Sequence, residues 1–95
     1  MIPPGPLSAT GVTVPDITGT YLYAGEHEGR PYWKHETLEW CTWYSSADLF
    51  YHLTPTLGVI PGPGNPHWKA ESDELPDSDY QPFGTAEGWA TFAFA

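Results

Sequence analysis

Short runs of aromatic and aliphatic residues, each closed off by glycine or by a polar turn, set the pattern of this chain. Over residues 20–24, Tyr21 and Tyr23 alternate with Thr20, Leu22 and Ala24, the period-two signature of a strand with two distinct faces. Residues 25–29 then read as a hairpin loop. A second strand over 31–36 places Trp33 and His35 on one face and Tyr32, Lys34 and Glu36 on the other. A third over 38–44 groups Leu38, Trp40, Thr42 and Tyr44 opposite Glu39, Cys41 and Trp43. After the turn Ser45-Ser46-Ala47-Asp48, a fourth over 49–54 gathers Leu49, Tyr51 and Leu53. Strands joined in this way by short turns form an antiparallel meander.

Both faces of the central strands carry rings, whereas a sheet with one wet face shows cleaner alternation. The pattern therefore predicts a second layer, or a partner, over the sheet. Residues 61–66 form a Pro/Gly-rich connector, followed by Trp68 as an isolated ring able to plug one end of the sheet. Residues 87–95 alternate Trp89, Thr91 and Ala93 against Ala90, Phe92 and Phe94, a closing strand that docks into this sheet or onto another chain. At the other end, prolines at positions 3, 4 and 6 exclude helix and favour extended chain, with a short strand within 8–14. The expectation is an all-β fold, a small antiparallel meander, sandwich or partly open barrel of about four to six strands. Residues 1–16 read as an extended N-terminal arm and 17–95 as a single β domain.

Composition supports a ring-dominated core. Ninety-five residues give a small domain, and five Trp, six Tyr and four Phe supply the bulk that a short aliphatic core lacks. A net charge of −9 repels polyanions, so neither nucleic acid nor an anionic membrane is an expected partner. No apolar run approaches the roughly 20 residues of a membrane-spanning helix, which predicts a soluble chain. The single cysteine, Cys41, forms no intrachain disulfide and reads as a small apolar strand residue.

Candidate chemistry is sparse. Glu71, Asp73, Glu74, Asp77 and Asp79 offer oxygen ligands to calcium, but the spacing lacks the glycine and terminal glutamate of an EF-hand loop, and a solvated acidic loop over 71–79 is expected. His27, His35, His52 and His67 show no zinc-binding spacing and read as surface or half-buried residues. Glu26, Glu28, Glu36 and Glu39 read as solvated turn and edge charges in preference to a paired-carboxylate site. Arg30 is expected to pair with Glu26 or Glu28 and to stack on Tyr21 or Tyr32, clamping a hairpin. No catalytic residue, cofactor or metal is expected. Trp33, Trp43 and Tyr44 are candidates for stacking on sugar rings, with Glu39, His35 or Asp48 accepting hydroxyl hydrogen bonds.

Gly19-Thr20-Tyr21, Tyr23-Ala24-Gly25, Gly29-Arg30-Pro31-Tyr32, Trp43-Tyr44, Trp68 and Pro82-Phe83-Gly84-Thr85-Ala86-Glu87-Gly88 together resemble small aromatic-rich β modules of bacteriophages, particularly marine ones. The resemblance runs over about residues 11–91 and departs at Phe50-Tyr51-His52, where that pattern usually carries a Trp. It implies a virion-associated, non-enzymatic part, decorating a capsid or attached to a tail, with other virion proteins or copies of itself as partners. Trp89, Phe92 and Phe94 are then candidate interface residues beside Trp33, Trp43 and Tyr44. A carbohydrate-binding module is the alternative expectation.

Overall fold

The computed structural model describes residues 5–62, 64–71 and 76–95. They form eight antiparallel strands: β1 (Leu7–Thr10), β2 (Gly19–His27), β3 (Arg30–His35), β4 (Cys41–Ser45), β5 (Phe50–Thr54), β6 (His67–Ala70), β7 (Asp79–Phe83) and β8 (Ala90–Phe94). Each strand pairs with its neighbours in sequence, and β8 pairs with β1, closing the sheet into a barrel. The all-β antiparallel meander is thus present. The strand number and the open arrangement are corrected: the sheet has eight strands and closes on itself.

Closure depends on β1, which lies inside the stretch expected to be an arm. Leu7 and Ala9 alternate with Ser8 and Thr10, and this alternation lets β1 bury the first pair between β2 and β8. Residues 1–4 lie outside the described part. Two further strands lie where connectors were expected. Trp68 belongs to β6, and Tyr80 and Pro82 belong to β7, which begins at the end of the expected acidic loop. These strands carry one or two rings each and sit among prolines and acids, so their alternation is too short to register by itself.

The β2–β3 connection is tighter than expected. β2 continues through a bulge near Gly25 to His27, and Glu28-Gly29 alone make the turn. Both turn residues have positive φ (53° and 79°), the geometry that follows the natural strand twist in two-residue hairpins. Glu28 is held there by its own carboxylate, which accepts the Ser46 N–H at 2.9 Å.

An eight-stranded barrel is just wide enough for side chains to fill. Here Tyr21, Trp33, Tyr44, Tyr51, Trp68, Tyr80 and Phe92 occupy the interior with Leu7, Ile17 and Leu53. Several of the polar tips that enter find partners. The Tyr21 hydroxyl donates to the Ile17 carbonyl at 2.7 Å, the Tyr51 hydroxyl to Pro31 at 3.0 Å, and the Trp68 indole N–H to Gly88 at 2.8 Å. Gly19, within the Gly-Thr-Tyr motif, has φ of +129°, and a Cβ there would stand 2.7 Å from His35 Nε2. The motif needs glycine because the His35 ring lies against that backbone. His35 is pinned in turn: its Nδ1 accepts N–H groups from Thr37 and Leu38, so Nε2–H donates to the Thr18 carbonyl.

Candidate functional site

On β4 and β5 the side chains that point away from the barrel axis are buried as well: Cys41, Trp43, Ser45, His52 and Thr54. The expected second layer is the chain's own segment after β5. The Trp43 indole N–H donates to Thr54 Oγ1 at 2.7 Å, and that hydroxyl donates to the Thr56 carbonyl at 2.7 Å, which starts the segment across the sheet. Gly58 reaches the ring of His27, which stands edge-on to Trp43. Ile60 then returns to the neighbourhood of His52 and His67.

Two clefts flank this cover. The larger, about 370 Å³, is lined by Tyr32, Lys34, Glu39 and Cys41 against Pro55, Thr56 and Leu57. Cys41 is inert there: burial pushes its thiol up to about 11, so it stays protonated at neutral pH. The smaller, about 170 Å³, is lined by Asp48, His52, His67, Lys69, Ile60 and Phe83. In it His52 Nε2 meets the Asp48 carboxylate at 2.8 Å, and Lys69 Nζ lies 3.4 Å from the same carboxylate. Burial holds His52 below its ordinary value despite the attraction of Asp48. Burial alone would raise Asp48, but His52 and Lys69 outweigh it and keep the carboxyl low. The ring is therefore neutral with Nε2–H donated to Asp48, leaving Nδ1 as an acceptor that is buried and unpartnered among the described residues. With its Nε2–H given to Asp48, the His52 ring ties the turn before β5 to the strand itself.

The opposite side of the barrel is different. The β1–β8 ladder runs from Leu7↔Phe94 to Thr10↔Thr91, and the isolated bridge Val14↔Glu87 continues it in the same register. That register sets Val12 opposite Trp89. On the outer surface Val12 is 90% exposed, Val14 55% and Trp89 49%. Ser8, Thr10, Thr91 and Ala93 extend the strip along the two strands, and exposed Glu87, the bridge partner of Val14, stands at its other end.

The residues singled out by sequence therefore separate. Trp33, Tyr44 and Phe92 are interior, and Trp43 lies under the covering segment, so Trp33, Trp43 and Tyr44 neither share a face nor expose one for stacking. The meander pattern marked these rings; barrel closure decided which side of the wall each occupies. Trp89 and Phe94 remain about half exposed. Arg30 does not clamp its own hairpin through Tyr21 or Tyr32; its guanidinium lies 4.3 Å from the centre of the Tyr44 ring. Three of the four histidines, His35, His52 and His67, are buried, where surface or half-buried positions were expected. Among the glutamates, Glu28 holds Ser46 and Glu39 lines the larger cleft, while Glu26 and Glu36 are exposed. Of the acidic stretch, Asp73 and Glu74 lie outside the described residues, and Asp79 accepts the Thr91 hydroxyl at 2.8 Å. Sequence reasoning missed Val12, Val14 and the Asp48–His52–Lys69 cluster. The i, i+4 spacing of Asp48 and His52 across a turn was the one available signal for the last of these.

Comparison of the chain with protein-family models, curated proteins and solved structures found no match.

Proposed function

We propose that this chain is a non-catalytic assembly module of a bacteriophage virion, a capsid-decorating or tail-associated part that works by protein–protein contact and without a cofactor. The observation that supports this reading best is the contrast between a barrel interior filled with its own side chains and an outer strip left apolar around Val12, Val14 and Trp89. A filled barrel offers no central ligand cavity of the kind that wider or emptier barrels use. Exposed apolar residues gathered at one place on the surface are a common mark of a protein-binding face. The virion setting follows from the resemblance of the Gly-Thr-Tyr, Gly-Arg-Pro-Tyr and Gly-Thr-Ala-Glu-Gly motifs to phage modules.

Antibody labelling and mass spectrometry of purified particles from the phage that encodes this chain test the reading. The chain should be found on intact particles at a constant ratio to the major capsid or tail protein; its confinement to the particle-free lysate would overturn the proposal. A glycan array is the counter-test, because specific sugar binding abolished by Trp89→Ala would replace assembly with carbohydrate recognition.

A further inference from the structure

We propose that the segment over residues 55–60 is an acid-released strap: protonation of His52 lifts it from the outer face of β4 and β5 while the barrel stays closed. The strap stands apart from the assembly reading, which neither supports it nor depends on it.

His52 sits on that outer face at 3% exposure, its ring centre 5.7 Å from that of Trp43 and tilted 30° to it. One ring nitrogen, Nε2, lies 2.8 Å from the Asp48 carboxylate. The other, Nδ1, is buried without a hydrogen-bond partner among the described residues. A second proton has to go onto Nδ1, where it becomes a buried N–H with nothing to receive it. Asp48, from the turn before β5, favours the charged ring, whereas Lys69 and His67, from β6, oppose it. Phe83 of β7 and Ile60 of the segment line the same cleft without a charge, and His27 of β2 stands beyond Trp43, edge-on to it. Burial outweighs Asp48, so the covered face holds the ring below its ordinary value.

Relief requires water at Nδ1, so something over the face has to move. β5 is paired to β4 on one side and to β6 on the other, and these strands cannot part without opening the closed sheet. The segment is held far less. Its Val59 N–H bonds internally to the Thr56 carbonyl, and among the described residues the Thr54 hydroxyl on that same carbonyl is its one hydrogen bond to the barrel. Thr56, Gly58, Val59 and Ile60 are exposed, so lifting them uncovers little apolar area. With the strap lifted, the ring meets water and returns towards its ordinary 6.5. Opening therefore takes up a proton. As pH falls below that value the open population grows, by up to about tenfold per pH unit, until the closed form is protonated as well.

Cys41 is the only cysteine and lines its cleft against Pro55, Thr56 and Leu57, so its labelling reports the strap. Dithiodipyridine, an aromatic disulfide that reacts with thiols at acid pH, is applied to the full chain between about pH 7 and about pH 5, and each native rate is divided by the rate in concentrated urea at the same pH. The ratio should rise about tenfold over that interval. Urea too dilute to unfold the barrel should leave the ratio unchanged, since a local opening exposes little surface. His52→Gln keeps a donor for Asp48 and cannot titrate, so its ratio should stay flat, while His67→Gln should retain the rise. Where His52→Gln does not fold, nitrogen NMR of the assigned wild-type histidines takes its place: His52 protonation and Cys41 labelling should share one midpoint. A flat wild-type ratio, a rise kept in His52→Gln or lost in His67→Gln, separate midpoints, or a rise that steepens in dilute urea as global unfolding does would each overturn the strap.

Discussion

The hydroxyl groups of Thr42 and Tyr80 meet at 2.7 Å inside the barrel, joining β4 to β7 across its interior. The Tyr80 hydroxyl gives its proton to the Pro76 carbonyl at 2.9 Å, so Thr42 is the donor of the pair. Both side chains are fully buried, and burial keeps the Tyr80 hydroxyl protonated far beyond the ordinary range. Tyr80→Phe strands the Thr42 hydroxyl and the Pro76 carbonyl and should cost about 1–3 kcal/mol in urea unfolding. Adding Thr42→Val removes one orphan, so the double variant should lose less than the sum of the two single changes. Strict additivity would show that the two hydroxyls do not act together.

The Asp48–His52 pair makes stability fall on acidification. His52 is held below its ordinary 6.5 when folded, so the unfolded chain binds the extra proton first as pH drops through that value. Asp48, held below its ordinary 3.8, adds a second loss further down. The thermal midpoint of the wild type should decline between about pH 6.5 and pH 5, from the reference value of histidine. His52→Phe should lower the midpoint at pH 7 and flatten the His52 part of that decline. An unaltered slope in the variant would assign the decline to another group.

Gly88 explains why the Gly-Thr-Ala-Glu-Gly motif ends in glycine. Its φ is +82°, and a Cβ there would strike the Val12 carbonyl. The carbonyl of Gly88 also receives the Trp68 indole N–H. Gly88→Ala combines left-handed strain of about 1–2 kcal/mol with that collision. The result should be a loss above about 2 kcal/mol, and a shift in Trp fluorescence as Trp68 loses its acceptor. Native-like stability in this variant would mean that the turn relaxes freely.

Leu49 predicts the opposite sign. It is an exposed, non-glycine residue with φ of 67°, held by its N–H to the Ser45 carbonyl at 2.8 Å. Removing the Cβ relieves the left-handed strain at little packing cost, so Leu49→Gly should stabilise by roughly 0.5–1 kcal/mol. Chemical denaturation of the two proteins side by side decides it, with any loss of stability counting against the strain.

Cys41 should be protected by the fold. Its thiol is buried against the Thr54 carbonyl and stays protonated, so an aromatic disulfide reagent at pH 8 should label it slowly in the native state and rapidly in urea. Fast native labelling would show that the covering segment after β5 opens readily.

The strands with repeated rings were legible in order. Residues 20–24, 31–36, 38–44 and 49–54 each contain or overlap an observed strand, because several bulky residues at period two outweigh local noise. β6 and β7 were not, since each offers only Trp68 or Tyr80 as a clear inward signal. The doubly buried character of β4 and β5 was legible as a demand for cover, while the source of that cover was not. Segment 55–60 is rich in turn formers, and it becomes a second layer because Thr54 and His27 anchor it. Arg30 shows the same limit: its charge was visible, but its ring partner, Tyr44, comes from the next strand, β4, and not from its own hairpin.

The sequence by itself determined the class of the fold, because alternation of rings and turn residues is local and needs no knowledge of what lies opposite. It also determined the acidic character that shapes any association. Only the tertiary structure decided that β1 and β8 meet, since that pairing joins residues separated by almost the whole chain. Closure then sorted identical-looking aromatic positions into an interior that is sealed, a face that the chain covers itself, and a strip around Val12 and Trp89 that it leaves open.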